Sequence, residues 1–139
     1  MINTQEYFLA NGLKVILKDV PNSTVSSVFI WVKTGSAYEN DYERGLAHVH
    51  EHMIFKGTSQ LGVGEISKKI ESYGGDVNAF TSFDETAYYA TVSNDFVPQV
   101  LDIFSQCMYD ATFDSEELSK ELEVILEEIK RGNDSPSNR

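Results

Sequence analysis

The sequence predicts an α+β fold, a mostly antiparallel β-sheet with helices packed mainly on one face. Two pairs of β-rich runs are joined by tight turns, residues 6–10 with 13–18 and residues 76–82 with 85–93, which is how antiparallel neighbours connect. Four helical patterns stand apart from them, at 45–55, 64–72, 94–110 and from about 115 to 131. The 139 residues suit one domain with a single core.

In order, the first pair flanks Asn11-Gly12, a hairpin signal. Pro21-Asn22-Ser23 breaks the chain before a strand over 24–33. Its middle, Val28-Phe29-Ile30-Trp31-Val32, is an unbroken apolar run, which predicts a central strand covered on both faces. Residues 35–41 read as loop. From 45 to 55 nearly every residue other than His48, His50, Glu51 and His52 is apolar, and the apolar positions surround the axis; such a helix is predicted to be buried. Lys56-Gly57-Thr58 ends it, and Gly74-Gly75 closes the helix over 64–72. The strands over 76–82 and 85–93 meet at a turn near Phe83-Asp84, the second dominated by β-branched and aromatic residues. Asn94 is the expected cap of the helix over 94–110, with Pro98 tolerated in its first turn. Asp114 or Ser115 caps the last helix, which is expected to run to about Arg131 before a polar, breaker-rich tail over 132–138. No internal repeat is present.

The formal net charge of -11 argues against nucleic-acid phosphates or an anionic membrane surface as partners and favours basic or unfolded peptides. The single Cys107 cannot form an internal disulfide, which fits a reducing compartment. Its apolar helical surroundings predict a buried, inert thiol. Met1-Ile2-Asn3-Thr4-Gln5-Glu6 has neither a basic region nor an apolar one of the kind an export signal needs, and no run reaches the length of a membrane span. A soluble, cytoplasmic protein is the expectation.

All three histidines fall in His48-Val49-His50-Glu51-His52. On a helix, His48 and His52 lie about 40° apart, with Glu51 on the same face. This is the inverted zinc signature H-x-x-E-H. Two neutral imidazoles one turn apart can share Zn²⁺, and a neighbouring carboxylate can take a proton from water activated there. His50 points about 160° away from His48, beside Leu46 and Met53, and reads as a packed core histidine.

A zinc site needs a third protein ligand. In the last helix Leu118, Leu122, Ile125 and Ile129 form the expected core stripe, and Glu121 and Glu128 border it, while Glu116, Glu123 and Glu127 point outward. Carboxylates held against an apolar face are costly unless something positive meets them, and a zinc ion on His48 and His52 would do so. Glu128 is assigned as the direct ligand and Glu121 as a carboxylate orienting it or a histidine. Spacing alone leaves open the plainer reading, in which both are edge residues reaching water.

The stretch from His48 to Thr58 resembles the active-site helix of the M16 peptidases, the pitrilysin, insulin-degrading enzyme and mitochondrial processing peptidase group. Gly74-Gly75-Asp76-Val77-Asn78-Ala79-Phe80-Thr81 resembles that family's substrate strand. Residues 121–129 resemble its distal glutamate motif, with Glu128 placed 76 positions after His52. The resemblance implies zinc on His48, His52 and Glu128, Glu51 as general base, Glu121 as supporting carboxylate, and an extended peptide antiparallel to Asn78, Ala79 and Phe80. It implies a zinc-dependent endopeptidase acting on unstructured peptides or small proteins. His50 departs from the family, where an apolar residue is usual.

Family members are much longer, built of repeated homologous domains that close around the substrate. Residues 1–139 are therefore expected to be a partial N-terminal domain, with the remainder and a homologous second domain outside it. The expected partners are peptide substrates and that C-terminal half or a homologous subunit; a homo-oligomer is also compatible. The alternative is a non-catalytic peptide-holding or assembly subunit of the same family, but such members have typically lost parts of the metal signature. The S-ribosylhomocysteine lyase that makes a quorum-sensing precursor shares the inverted motif and a related fold. It completes its site with a cysteine in a Gly-Cys context, which Cys107, between Gln106 and Met108, does not match.

Overall fold

The computed structural model describes residues 3–134, the side chains of 132–134 excepted. Strands β1 (Asn3–Phe8) and β2 (Lys14–Asp19) form an antiparallel hairpin with Phe8 opposite Lys14 and Asn3 opposite Asp19. The Asn11-Gly12 turn is real: Gly12 takes φ 86°, open to glycine at no steric cost, and its N–H donates to the Leu9 carbonyl at 2.9 Å.

A second sheet holds β3 (Val25–Val32), β4 (Asp76–Thr81) and β5 (Thr86–Ser93) in the order β3-β5-β4, with both pairings antiparallel. Helices α1 (Leu46–Ile54), α2 (Glu65–Ser72) and α3 (Val97–Asp110) cover one face of it. Alternation in β5 sends Tyr88, Ala90 and Val92 to that face. There they meet Ile54 of α1, Ile66 and Ile70 of α2, and Val100, Ile103, Phe104 and Cys107 of α3 to form the core. Gly74 (φ 70°) and Gly75 carry the chain from α2 into β4; a Cβ on Gly75 would run into the Val92 side chain and the Thr91 carbonyl. Helix α4 (Ser115–Asp134) lies across α1. The fold is the α+β arrangement expected, with helices on one side of an antiparallel sheet.

Several details differ from the sequence reading. β3 is not central: among the described residues it is an edge of its sheet, and β5 takes the middle. Nor is β3 covered on both faces, since Trp31 is 55% exposed. Its outward side chains stack with each other across strands instead. Phe29 lies 5.0 Å from Tyr89, and Trp31 meets Phe80 edge-on at 5.7 Å, so the apolar run records an aromatic cluster on the open face. α1 is not buried all round, because Leu46 and His50 are exposed.

The stripe on α4 is turned from the expected phase. Glu121 and Ile125 point inward, Leu118 is half-buried, and Leu122 and Ile129 are exposed, Ile129 by 52%. Asn94 does not cap α3; it lies in a 3-10 turn (Asn94–Phe96) and its side chain instead ties Ser26 Oγ and the Ser23 carbonyl. α4 continues past Arg131 to Asp134, and the remainder of the expected tail lies outside the described residues.

Candidate metal centre

The histidine-bearing helix begins at Gly45, in the left-handed region at φ 91° with no side chain to cap it. The carboxylate of Glu39 caps it from the preceding loop: one oxygen accepts from the Gly45 N–H and the other from the Ala47 N–H, each at 2.7 Å. A negative charge there also meets the positive end of the helix dipole. With its start fixed, α1 presents His48 and His52 one turn apart, their rings nearly perpendicular at 86° and their Nε2 atoms 3.1 Å from each other.

The opposite wall is α4. Asp114 Oδ1 accepts from the N–H groups of Glu116 at 2.9 Å and Glu117 at 3.1 Å, which makes Asp114 the cap. Two turns apart on the face toward α1 stand Glu121 and Glu128. Glu121 is nearly enclosed, its side chain 11% exposed. Its Oε2 lies 3.0 Å from His52 Nδ1 and its Oε1 lies 2.5 Å from Lys56 Nζ. Burial pushes the Glu121 carboxyl up, but the hydrogen bonds and charges of Lys56 and His52 outweigh that and hold it below its ordinary value.

Glu128 Oε2 lies 3.7 Å from His48 Nε2 and 3.5 Å from His52 Nε2. Among the described residues His48, His52 and Glu128 are the one His, Cys, Asp or Glu group with ligand atoms this close together. These spacings test the fit of an ion directly. Tetrahedral Zn²⁺ with bonds of about 2.0–2.2 Å needs ligand atoms about 3.3–3.6 Å apart. The three separations bracket that range, and two imidazoles with a carboxylate are a zinc donor set. Glu128, 44% exposed, forms the open side, while His52, 17% exposed, is the enclosed member.

Glu51 projects from the same face of α1 toward β4, where the Thr81 hydroxyl donates to its Oε2 at 2.5 Å. A cleft of about 200 Å³ runs between the elements, lined by Glu51, His52, Lys56, Asn78, Ala79 and Glu121 among others. The three residues expected to meet substrate thus divide. Asn78 and Ala79 line the cleft, whereas the Phe80 ring turns to the far side of the sheet against Trp31. β4 has β5 on one side only, so its other edge is open among the described residues. The Ala79 N–H is held by Asn78 Oδ1 at 2.8 Å.

His50 stays apart from this group. Its Nδ1 lies 3.0 Å from the Tyr88 hydroxyl and its ring 5.3 Å from that of Phe113, so it packs on the protein's flank rather than in the core. Partial burial lowers its pKa. Tyr88 is pushed up to about 12 by burial and by the charge of Glu51, and burial pushes the Cys107 thiol up to about 11. Sequence reasoning missed Glu39, Lys56 and Thr81. The latter two stand inside quoted motifs, and the cost of burying Glu121 was itself a signal that a cation such as Lys56 had to be near.

Residues 14–139 match the family model of the insulinases, peptidase family M16. The chain belongs to that family. A zinc protease of Bacillus subtilis, YmxG, itself described as uncharacterized, is 38% identical over 134 residues; these are 96% of this chain and 33% of the relative. A probable mitochondrial-processing peptidase subunit beta of Arabidopsis thaliana is 38% identical over 88% of this chain and 23% of its own. Among solved structures, a protease from Helicobacter pylori superposes with a TM-score of 0.92 at 32% identity, covering 99% of this chain and 33% of that one. Pitrilysin gives 0.85 at 26%, with 94% and 14% covered. The M16 chain described here therefore spans a third or less of the length of these relatives.

Proposed function

We propose that this chain is the metal-bearing part of a zinc-dependent endopeptidase that cleaves unstructured peptides, with His48, His52 and Glu128 as ligands. The observation that carries the reading is the convergence of three ligand atoms at zinc spacing beside the Glu51 carboxylate and an open strand edge. When bound, Zn²⁺ supplies a Lewis acid that polarises the scissile carbonyl and acidifies water. Glu51 accepts the proton on Oε1, the oxygen that Thr81 leaves free, and delivers it to the leaving amine. Thr81 fixes the rotation of that carboxylate, and Glu121 fixes the tautomer of His52 by accepting from Nδ1.

An extended substrate pairs with β4 at Asn78, Ala79 and Phe80, the Asn78 side chain giving way at the Ala79 N–H. Main-chain pairing gives affinity without demanding a sequence, and the net charge of -11 draws basic peptides. The polypeptide that completes the longer relatives, on this chain or as a partner subunit, closes the other side. A cytoplasmic setting suits a lone buried thiol. The intact metal signature disfavours a purely peptide-holding subunit.

The test is Glu51→Gln in the complete protein. Cleavage of an unstructured reporter peptide is expected to fall at least about 100-fold, the lower end of what a positioned base contributes, while zinc content by mass spectrometry stays at one per chain. Unchanged cleavage, or a wild-type protein that takes up no zinc, would sink the reading.

A further inference from the structure

Glu121 does not depend on a metal for its counter-charge. Lys56, two residues past the end of α1, reaches across to α4 and places Nζ 2.5 Å from Glu121 Oε1, leaving Oε2 to His52 Nδ1. Glu121 is nearly enclosed at 11% side-chain exposure, and Lys56 is partly buried at 30%. A carboxylate held by one hydrogen bond can swing about its last torsion, which is broad and shallow. Anchored at both oxygens, it cannot swing without breaking either the ion pair to Lys56 or the hydrogen bond to His52.

We propose that Lys56 is a positioning residue of the metal centre: by gripping one oxygen of Glu121 it keeps the other turned onto His52 Nδ1 and so fixes how His52 presents Nε2. The proposal rests on His48, His52 and Glu128 being the ligands. The series is Lys56 and then Glu121 and then His52, with Lys56 outside the group of three candidate ligands. Its ammonium also offsets the charge of the enclosed Glu121 carboxylate. A lysine here supplies a compact charge with three donors, and arginine is long enough to make the same contact in a different shape.

The experiment measures zinc affinity by competition with a chromophoric chelator in the full chain. It compares wild type with Lys56→Met, Lys56→Arg, Glu121→Gln and the Lys56→Met/Glu121→Gln pair. Lys56→Met is expected to weaken zinc about tenfold, the scale on which groups behind a ligand act, and Lys56→Arg to recover most of that loss. In the Glu121→Gln background Lys56→Met is expected to cost nothing more, since its effect passes through that carboxylate. The absorption spectrum of the cobalt-loaded protein should shift in Lys56→Met as the His52 ring reorients.

Wild-type affinity in Lys56→Met, or an equal loss with and without Glu121, overturns the proposal while leaving the ligand set standing. Failure of wild type to bind zinc, or binding that survives His52→Ala, overturns the ligand set and the proposal together.

Discussion

Removing the Glu39 carboxylate tests how the histidine helix is launched. Glu39→Ala takes away two acceptors, each 2.7 Å from its N–H donor, from a helix whose N-cap residue, Gly45, offers no side chain. Loss of a side-chain cap costs about 0.5–2 kcal/mol, and a carboxylate against the helix dipole belongs in the upper half, so about 1–2 kcal/mol is expected. The loss is local to the first turn. It should therefore appear as faster amide exchange there, by roughly 5- to 30-fold at about 1.4 kcal/mol per decade. Hydrogen–deuterium exchange resolved at residues 45–49 reads this directly, with α3 as internal reference. His48 sits in that turn, so zinc affinity should fall in step. Glu39→Gln keeps one of the two acceptor oxygens and loses the charge, and should fall between. Exchange at Ala47 that matches wild type would refute the argument that Glu39 sets the helix start.

Other outcomes follow from the core. Phe104, fully buried among α3, α1 and β5, is expected to cost about 3–5 kcal/mol when replaced by alanine, seen as an earlier urea midpoint. A shift worth under 1 kcal/mol would mean that the cluster is not the stabilising core. Cys107 and Tyr88 favour their neutral forms in the fold, at about 11 against 9.0 and about 12 against 10.0. Each raised value means stability that is whole below about pH 9 and drains away as the pH climbs through 11 and 12. Urea midpoints should thus be flat from pH 7 to 8.5 and decline above 9, with a shallower decline in Tyr88→Phe. A thiol reagent at pH 8 should leave Cys107 untouched until urea unfolds the chain; prompt labelling of the native protein would contradict its burial.

Much of the architecture could be read from the residues because local rules sufficed. Asn11-Gly12 named its own turn, Gly74-Gly75 ended α2, and the spacing of His48, Glu51 and His52 placed all three on one face of α1. What escaped was decided at a distance. The apolar run in β3 signalled cover but not its kind, and stacking with Tyr89 and Phe80 satisfied it where a helix was expected. The phase of α4 was misjudged because hydropathy ranked Leu122 and Ile129 above Glu121. The ion pair with Lys56 and the bond to His52 instead bring the glutamate inward. His50 read as core from its neighbours on the helix, yet its company is the Tyr88 hydroxyl and Phe113, far along the chain.

The candidate ligands His52 and Glu128 stand 76 residues apart in sequence, and among the described side chains α4 buries little more than Glu121 and Ile125. An ion gripped by His48, His52 and Glu128 would act as a clasp across that long loop, lending α4 an attachment that its own apolar contacts scarcely provide. Stripping the ion and loosening the helix would then be one event seen by two instruments. Chelation should release α4 to solvent and protease before the rest of the domain yields, and anything that pins α4 down should slow the escape of the metal.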